Sequence, residues 1–149
     1  MSKDITTVVD IDAPPSTVWS VLTDTDAYPE WNPFVRELTG ELVTGARLRV
    51  VLGAPGRRPM TLRPRVLTAS PPRELAWLGH FLVPGVFDAR HSFVLEPLPG
   101  GGTRFTQSEH FSGILVPFLG RVLASTSSGF DAMNEALRTR SELRTRTPA

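Results

Sequence analysis

A histidine and a glutamate, His91 and Glu109, are the residues of this chain best placed to do chemistry. The segment Val86–Leu98 alternates in polarity, and so does Thr103–Gly113, with Pro99-Gly100-Gly101-Gly102 between them as a hairpin turn. Successive side chains on a strand point to opposite faces. Phe87, Ala89, His91, Phe93 and Leu95 therefore share one face, as do Phe105, Gln107, Glu109 and Phe111. A three-residue loop at Pro99–Gly101 pairs Leu95 with Phe105, Phe93 with Gln107 and His91 with Glu109. In that register every inward residue meets an inward residue. Burying an imidazole or a carboxylate alone is costly, so the two are expected to answer each other. Such a dyad could act as general acid and base in enolisation, aldol closure or dehydration. It could also anchor the polar end of a mostly apolar ligand, or be a structural cross-strand pair. Gln107, one inward position away, extends the polar line.

Composition narrows the functional classes. The 149 residues suit one domain, 1–149, with a proper core. A net charge of +1 gives no general reason to expect nucleic acid or an anionic membrane as partner. The absence of cysteine excludes disulfides and thiolate chemistry. No apolar run is long enough to span a bilayer. Met1-Ser2-Lys3-Asp4 leads straight into a strand pattern, so no signal peptide is expected and the cytoplasm is the simplest compartment. The chain carries no Ser-His-Asp arrangement, phosphate loop or dinucleotide fingerprint. His80, His91 and His110 form no metal triad, because alternation points His110 away from His91. Neither metal nor cofactor is expected.

The remaining elements must position the pair. Ile5–Asp12 alternates and reads as a first strand. Ala13-Pro14-Pro15-Ser16 stops it, and Val18, Trp19, Val21 and Leu22 mark a short amphipathic helix with proline in its first turn. Thr23–Pro33 is rich in turn formers. Strands are predicted over Phe34–Leu42, Arg47–Leu52, Met60–Thr68 and Arg73–Leu82, with a bulge or unpaired edge at Pro64, which has no N–H to donate. From Leu119, the residues Leu123, Thr126, Phe130, Met133 and Leu137 follow at helical spacing, predicting a helix over 119–140 and a frayed polar tail over 141–149. Short turns between strands imply an antiparallel sheet, and helices outside the strand run imply an α+β architecture.

Taken together the motifs resemble a known superfamily. They are Ile11-Asp12-Ala13-Pro14 with Val18-Trp19, then Asp26 and Tyr28-Pro29-Glu30-Trp31-Asn32-Pro33-Phe34, then Leu75, Trp77 and Gly79. His91-Ser92-Phe93, Gly102-Thr103-Arg104, Glu109-His110-Phe111-Ser112-Gly113 and finally Phe130, Met133, Asn134 and Leu137 complete them. Across nearly its whole length the chain resembles the START-like, SRPBCC proteins, and among them the polyketide cyclase/dehydrase and lipid-transport type. The resemblance implies a helix-grip fold: a seven-stranded antiparallel sheet wrapped around the long C-terminal helix, with an internal cavity. The superfamily includes carriers, cyclases, hormone receptors and co-chaperones, so function must be argued from the site.

The small run Ser125–Gly129 on the long helix either leaves space opposite bulky sheet residues or permits close approach. If it leaves space, a ligand chamber is lined by Trp77, Phe87, His91, Phe93, Gln107, Glu109, Phe111, Thr126, Phe130 and Met133. Tyr28, Trp31, Asn32 and Phe34 either border its mouth or pack the helices. Ile114–Phe118, with the loops Gly53–Pro59 and Val83–Val86, is a gate or a packed connector. Arg47, Arg49, Arg63 and Arg65 form a basic patch on the outer sheet face, read as solvated because no aromatic platform accompanies it. The function expected is binding of a small hydrophobic molecule such as a polyketide, lipid or aromatic metabolite, with no nucleic acid and no stable membrane insertion. The rivals are a cyclase, aromatase or dehydratase using His91 and Glu109, and an interaction module resembling a co-chaperone or toxin–antitoxin partner.

Overall fold

The computed structural model describes residues 1–53, 58–81 and 83–146. Within these, an antiparallel sheet packs against one long C-terminal helix. The first strand, β1 (Ser2–Ile11), turns its odd-numbered side chains from Ile5 onward inward and its even ones to solvent. Pro14 and Pro15 then start α1 (Pro15–Thr23), whose first turn closes on the Pro14 carbonyl. A single helical turn, α2 (Tyr28–Trp31), ends at Asn32. The Asn32 Oδ1 accepts the backbone N–H groups of Phe34 and Val35 at 3.0 and 2.9 Å, a side-chain turn that swings the chain into β2 (Val35–Thr39).

The strands that follow are β3 (Arg49–Leu52), β4 (Met60–Leu62), β5 (Arg65–Ser70), β6 (Glu74–Phe81), β7 (Phe87–Pro97) and β8 (Thr103–Ser112). They form two sheets, one ordered β1-β8-β7-β6-β5 and one ordered β2-β3-β4. The expectation of a single seven-stranded sheet is therefore corrected to five plus three strands among the described residues. Pro64 is the cause. It interrupts the predicted strand Met60–Thr68, so β4 and β5 belong to different sheets. Hydrogen bonds from Leu48 N to Pro64 O and from Val66 N to Ala46 O, each 2.8 Å, still stitch the two sheets together at this break.

The β7–β8 hairpin has the register read from the sequence: Leu95 opposite Phe105, Phe93 opposite Gln107 and His91 opposite Glu109. Leu98 N donates to Gly102 O across the loop, which leaves Pro99–Gly101 as its three free residues. Other predicted strands begin or end one to three residues off the observed bounds. Leu82, residues 54–57 of the predicted gate loop, and 147–149 of the predicted tail lie outside the described residues.

The long helix, α3 (Gly120–Arg146), buries the predicted stripe Leu123, Thr126, Phe130, Met133 and Leu137. It packs on β1 and α1. It also continues past the expected end at Arg140. Ser141 is fully buried, Glu142 Oε2 accepts the backbone N–H of Asp12 at 2.9 Å, and the helical conformation runs on to Arg146. No helix among the described residues is long and apolar enough to cross a membrane.

Candidate functional site

Two features of α3 decide where space remains. The first is Gly129. A Cβ there would lie 2.2 Å from Cδ1 of Phe34, so this glycine lets the Phe34 ring sit directly on the helix. Phe34 then packs edge-on to Phe130, with centroids 5.4 Å apart. Mid-helix is thus closed, and the run of small residues serves close approach at that point. The second is the first half of the helix, where Leu119, Val122 and Thr126 face β6–β8 across a gap. A pocket of about 200 Å³ lies there, lined from the smaller sheet by Leu52, Met60 and Leu62.

The predicted site residues divide into two groups. Trp77, Phe87, Glu109, Phe111 and Thr126 line the pocket. His91, Phe93, Gln107, Phe130 and Met133 do not; they form the buried layer behind its wall. The division follows the helix, since the pocket sits beside its N-terminal half and Phe130 and Met133 lie one to two turns further on. Phe87 and Phe111 stack in the wall with centroids 5.5 Å apart. The pocket also takes Leu115 and Leu119, from the segment ahead of α3, and Val122 from its first turn; Val122 lies one turn before Thr126 on the same face, so its place was legible from helical spacing. The contributions of Leu52, Met60 and Leu62 were not, because they come from the smaller sheet.

Glu109 is the buried carboxylate among the described lining residues; His80, more exposed, also borders the pocket. The residue exposure of Glu109 is 7 %, and its Oε2 stands 3.4 Å from Nδ1 of His91. The other imidazole nitrogen, Nε2, is 2.8 Å from Gln107 Oε1. Gln107 Nε2 donates to Asn134 Oδ1 and Asn134 Nδ2 donates to Thr7 Oγ1, both at 2.8 Å; the Thr7 hydroxyl donates to the Gln107 carbonyl at 3.1 Å. A polar line thus runs from the pocket wall through the core to β1. Burying so many polar groups is tolerable because each finds a partner. The His91 ring is enclosed by Trp77, Phe93 and Phe130.

Two segments beside the pocket are tied together. Gly113 has φ of +119°, and a Cβ on it would sit 2.5 Å from Val86 O. That contact lets Ile114 N reach Gly85 O and Leu115 N reach Val86 O, at 3.2 and 3.1 Å. Asp88 secures the same turn: it pairs with His80 Nδ1 at 2.7 Å and accepts the Gly85 N–H. The hydrogen bond to His80 and the one from Gly85 hold the Asp88 carboxyl below its usual range, against a smaller opposing effect of burial. Ile114 and Phe118 are 70 % and 80 % exposed at this rim, while Leu115 turns into the pocket.

The other candidates fall outside this site. Tyr28 and Phe34 are fully buried and line no part of the pocket. The Tyr28 hydroxyl bonds to the Leu22 carbonyl and is pushed far above its usual titration range by burial, with a smaller push from Asp24. Arg47, Arg49, Arg63 and Arg65 are exposed to solvent. Among the described residues no three side chains are grouped so as to hold a metal ion.

Residues 2–142 match the family described as polyketide cyclase/dehydrase and lipid transport. The chain belongs to that family. No curated protein matches it in sequence. Among solved structures, the Zhui aromatase/cyclase of Streptomyces sp. R1128 is similar at 18 % identity over 99 % of this chain and 98 % of that one, with a TM-score of 0.80. Norcoclaurine synthase of Thalictrum flavum is similar at 14 % identity, over 99 % and 98 %, with a TM-score of 0.73. TTHA0849 of Thermus thermophilus is similar at 18 % identity, over 96 % and 99 %, with a TM-score of 0.74. At these identities the likeness concerns the fold. This family member is an α+β protein of helix-grip type, with the long helix held against the antiparallel sheet.

Proposed function

We propose that this protein binds a compact, mostly apolar small molecule in the pocket between the first half of α3 and strands β6–β8. One observation carries the reading: an apolar pocket with a nearly buried carboxylate, Glu109, in its wall and an imidazole behind it. Binding would be driven by removing apolar ligand surface from water, at about 25 cal/mol per Å², and oriented by Glu109 with His91 and Gln107 behind it. At about 200 Å³ the pocket lies below the ~300–1,000 Å³ usual for drug-sized ligands, which favours a small ring system over a long acyl chain.

The family description supports a second reading, a cyclase- or dehydratase-like enzyme. In it Glu109 would touch the substrate and exchange a proton with it, and His91 would hold or supply that proton from behind. The two readings separate in one experiment. A carrier returns its ligand unchanged, whereas an enzyme converts it, so native mass spectrometry of protein purified from its source, followed by incubation with the released compound, distinguishes them. V122W, which places an indole in the pocket, is expected to abolish ligand retention while α3 still forms. Retention undiminished in V122W would move the ligand elsewhere and end the pocket reading.

A further inference from the structure

We propose that the pocket selects ligands whose polar end is a hydrogen-bond donor, a hydroxyl or an amine on a compact ring body, and that Glu109 and Thr126 receive it. This rests on the pocket being the ligand site, as argued above.

The direction of every hydrogen bond behind Glu109 can be traced from one fixed point. The backbone carbonyl of Gln107 can only accept, and the Thr7 hydroxyl donates to it. That spends the hydroxyl proton, so Thr7 Oγ1 accepts from Asn134 Nδ2. Asn134 therefore turns Oδ1 to Gln107 and receives its Nε2. Gln107 is left with Oε1 facing His91, so Nε2 of His91 carries a proton. Thr7, Asn134 and Gln107 are in this sense positioning residues, since they fix the imidazole without touching the pocket.

The proton that remains variable lies on the pocket side. Nδ1 of His91 faces Oε2 of Glu109 at 3.4 Å, with side-chain exposures of 3 % and 9 %. Two bare lone pairs facing each other in so dry a wall would repel, so one proton lies between the groups. Placed on Nδ1, it makes an imidazolium and a carboxylate. Placed on Oε2, it makes a neutral imidazole and a carboxylic acid. Either way the second carboxyl oxygen, Oε1, carries no hydrogen and acts as an acceptor. Among the described residues Glu109 has no polar partner besides His91, and it lines the pocket. Thr126 points to the same chemistry. Its hydroxyl donates to Val122 O at 2.8 Å, so its oxygen also offers the pocket lone pairs alone. At Glu109 and Thr126 a ligand carboxylate would meet two acceptors, whereas a hydroxyl or amine would be satisfied; His80, the other polar side chain of the lining, is committed through Nδ1 to Asp88 and is far more exposed.

The test is isothermal titration of the full chain with 5-indanol, 5-aminoindane, 5-methylindane and indane-5-carboxylate, bodies of one size that differ at one position. The donors are expected to bind about tenfold more tightly than the methyl compound, with the carboxylate weakest; the first two compounds rank hydroxyl against amine. E109Q should keep the preference, because its amide N–H donates to Nδ1 and its carbonyl takes the place of Oε1. E109L should lose it. Nitrogen NMR of His91 should show Nε2 protonated in the wild type and in E109Q. Equal binding of donor and methyl compounds, or a preference for the carboxylate, overturns the donor rule and leaves the pocket reading standing. An unprotonated Nε2 overturns the wiring that fixes it. No binding of any of the four at millimolar concentration overturns both proposals.

Discussion

His91 and Gln107 are joined by a 2.8 Å hydrogen bond inside the aromatic layer behind the pocket, where neither side chain has access to water. Removing either one strands polar groups in a place that cannot solvate them. Q107L leaves His91 Nε2–H and Asn134 Oδ1 without partners. Each stranded group costs roughly 1–3 kcal/mol, so a loss of about 2–6 kcal/mol is expected from urea unfolding. Adding N134L to Q107L should cost less than the sum of the two single changes, by about 0.5–3 kcal/mol of coupling. Strict additivity would mean that the polar line does not act as a unit.

Gly129 is expected to resist replacement even by the best helix former. G129A gains about 1 kcal/mol of helix propensity but drives a methyl to 2.2 Å from the Phe34 ring, which is itself fully buried. Overpacking of this kind costs about 1–3 kcal/mol, so the net change should be a lower melting temperature. F34L in the same chain should recover much of the loss. A melting temperature raised by G129A alone would show that Phe34 has room to move.

The Asp88 latch predicts a pH dependence. Asp88 titrates below its ordinary value of 3.8, first because it bonds to His80. A depressed carboxyl stabilises the fold fully above its unfolded value and loses that contribution as pH falls through the folded one. The wild-type advantage over D88N should therefore shrink toward zero as the pH falls between about pH 4 and pH 2. Asp88 is partly exposed, so the advantage should stay under about 1 kcal/mol. Urea midpoints of both proteins across this range check it; a gap that widens between about pH 4 and pH 2 would contradict the assignment.

The end of α3 offers a fourth check. A chain stopped after Arg140 loses the buried Ser141 and the Glu142 acceptor for Asp12 N. E142A should cost about 1 kcal/mol, near the usual value of one hydrogen bond, and the shortened chain more. Equal melting temperatures for the full and shortened chains would show that 141–146 contribute nothing.

The hairpin that carries His91 and Glu109 was fully legible in the sequence, down to its register, because strict alternation on both strands and a Gly-rich loop leave one pairing that keeps the apolar face together. The helix stripe was legible for a similar reason. What escaped was the meeting of elements distant in sequence. Nothing local to Ser125–Gly129 tells that Phe34 fills the space above Gly129, or that Leu52, Met60 and Leu62 line the pocket, since both facts depend on how the smaller sheet folds over. The break at Pro64 was foreseeable as a defect, yet its effect, two sheets in place of one, depended on strands far along the chain. The extension of α3 past Arg140 had no apolar signal in the sequence, because the contacts beyond that point come from one buried small residue, Ser141, and one carboxylate, Glu142.

Gly113 brings a last consequence. By pressing against Val86 it fastens the turn at 83–86 to the segment that leads into α3, so those two rims of the pocket travel as one body. A molecule approaching from that side must either break two backbone hydrogen bonds at once or leave the doorway shut. The Met60 side carries a looser border, for β4 is three residues long and stands last in its sheet. On the proposed function, a ligand is therefore expected to enter from the Met60 flank, an asymmetry that traces to a residue with no side chain.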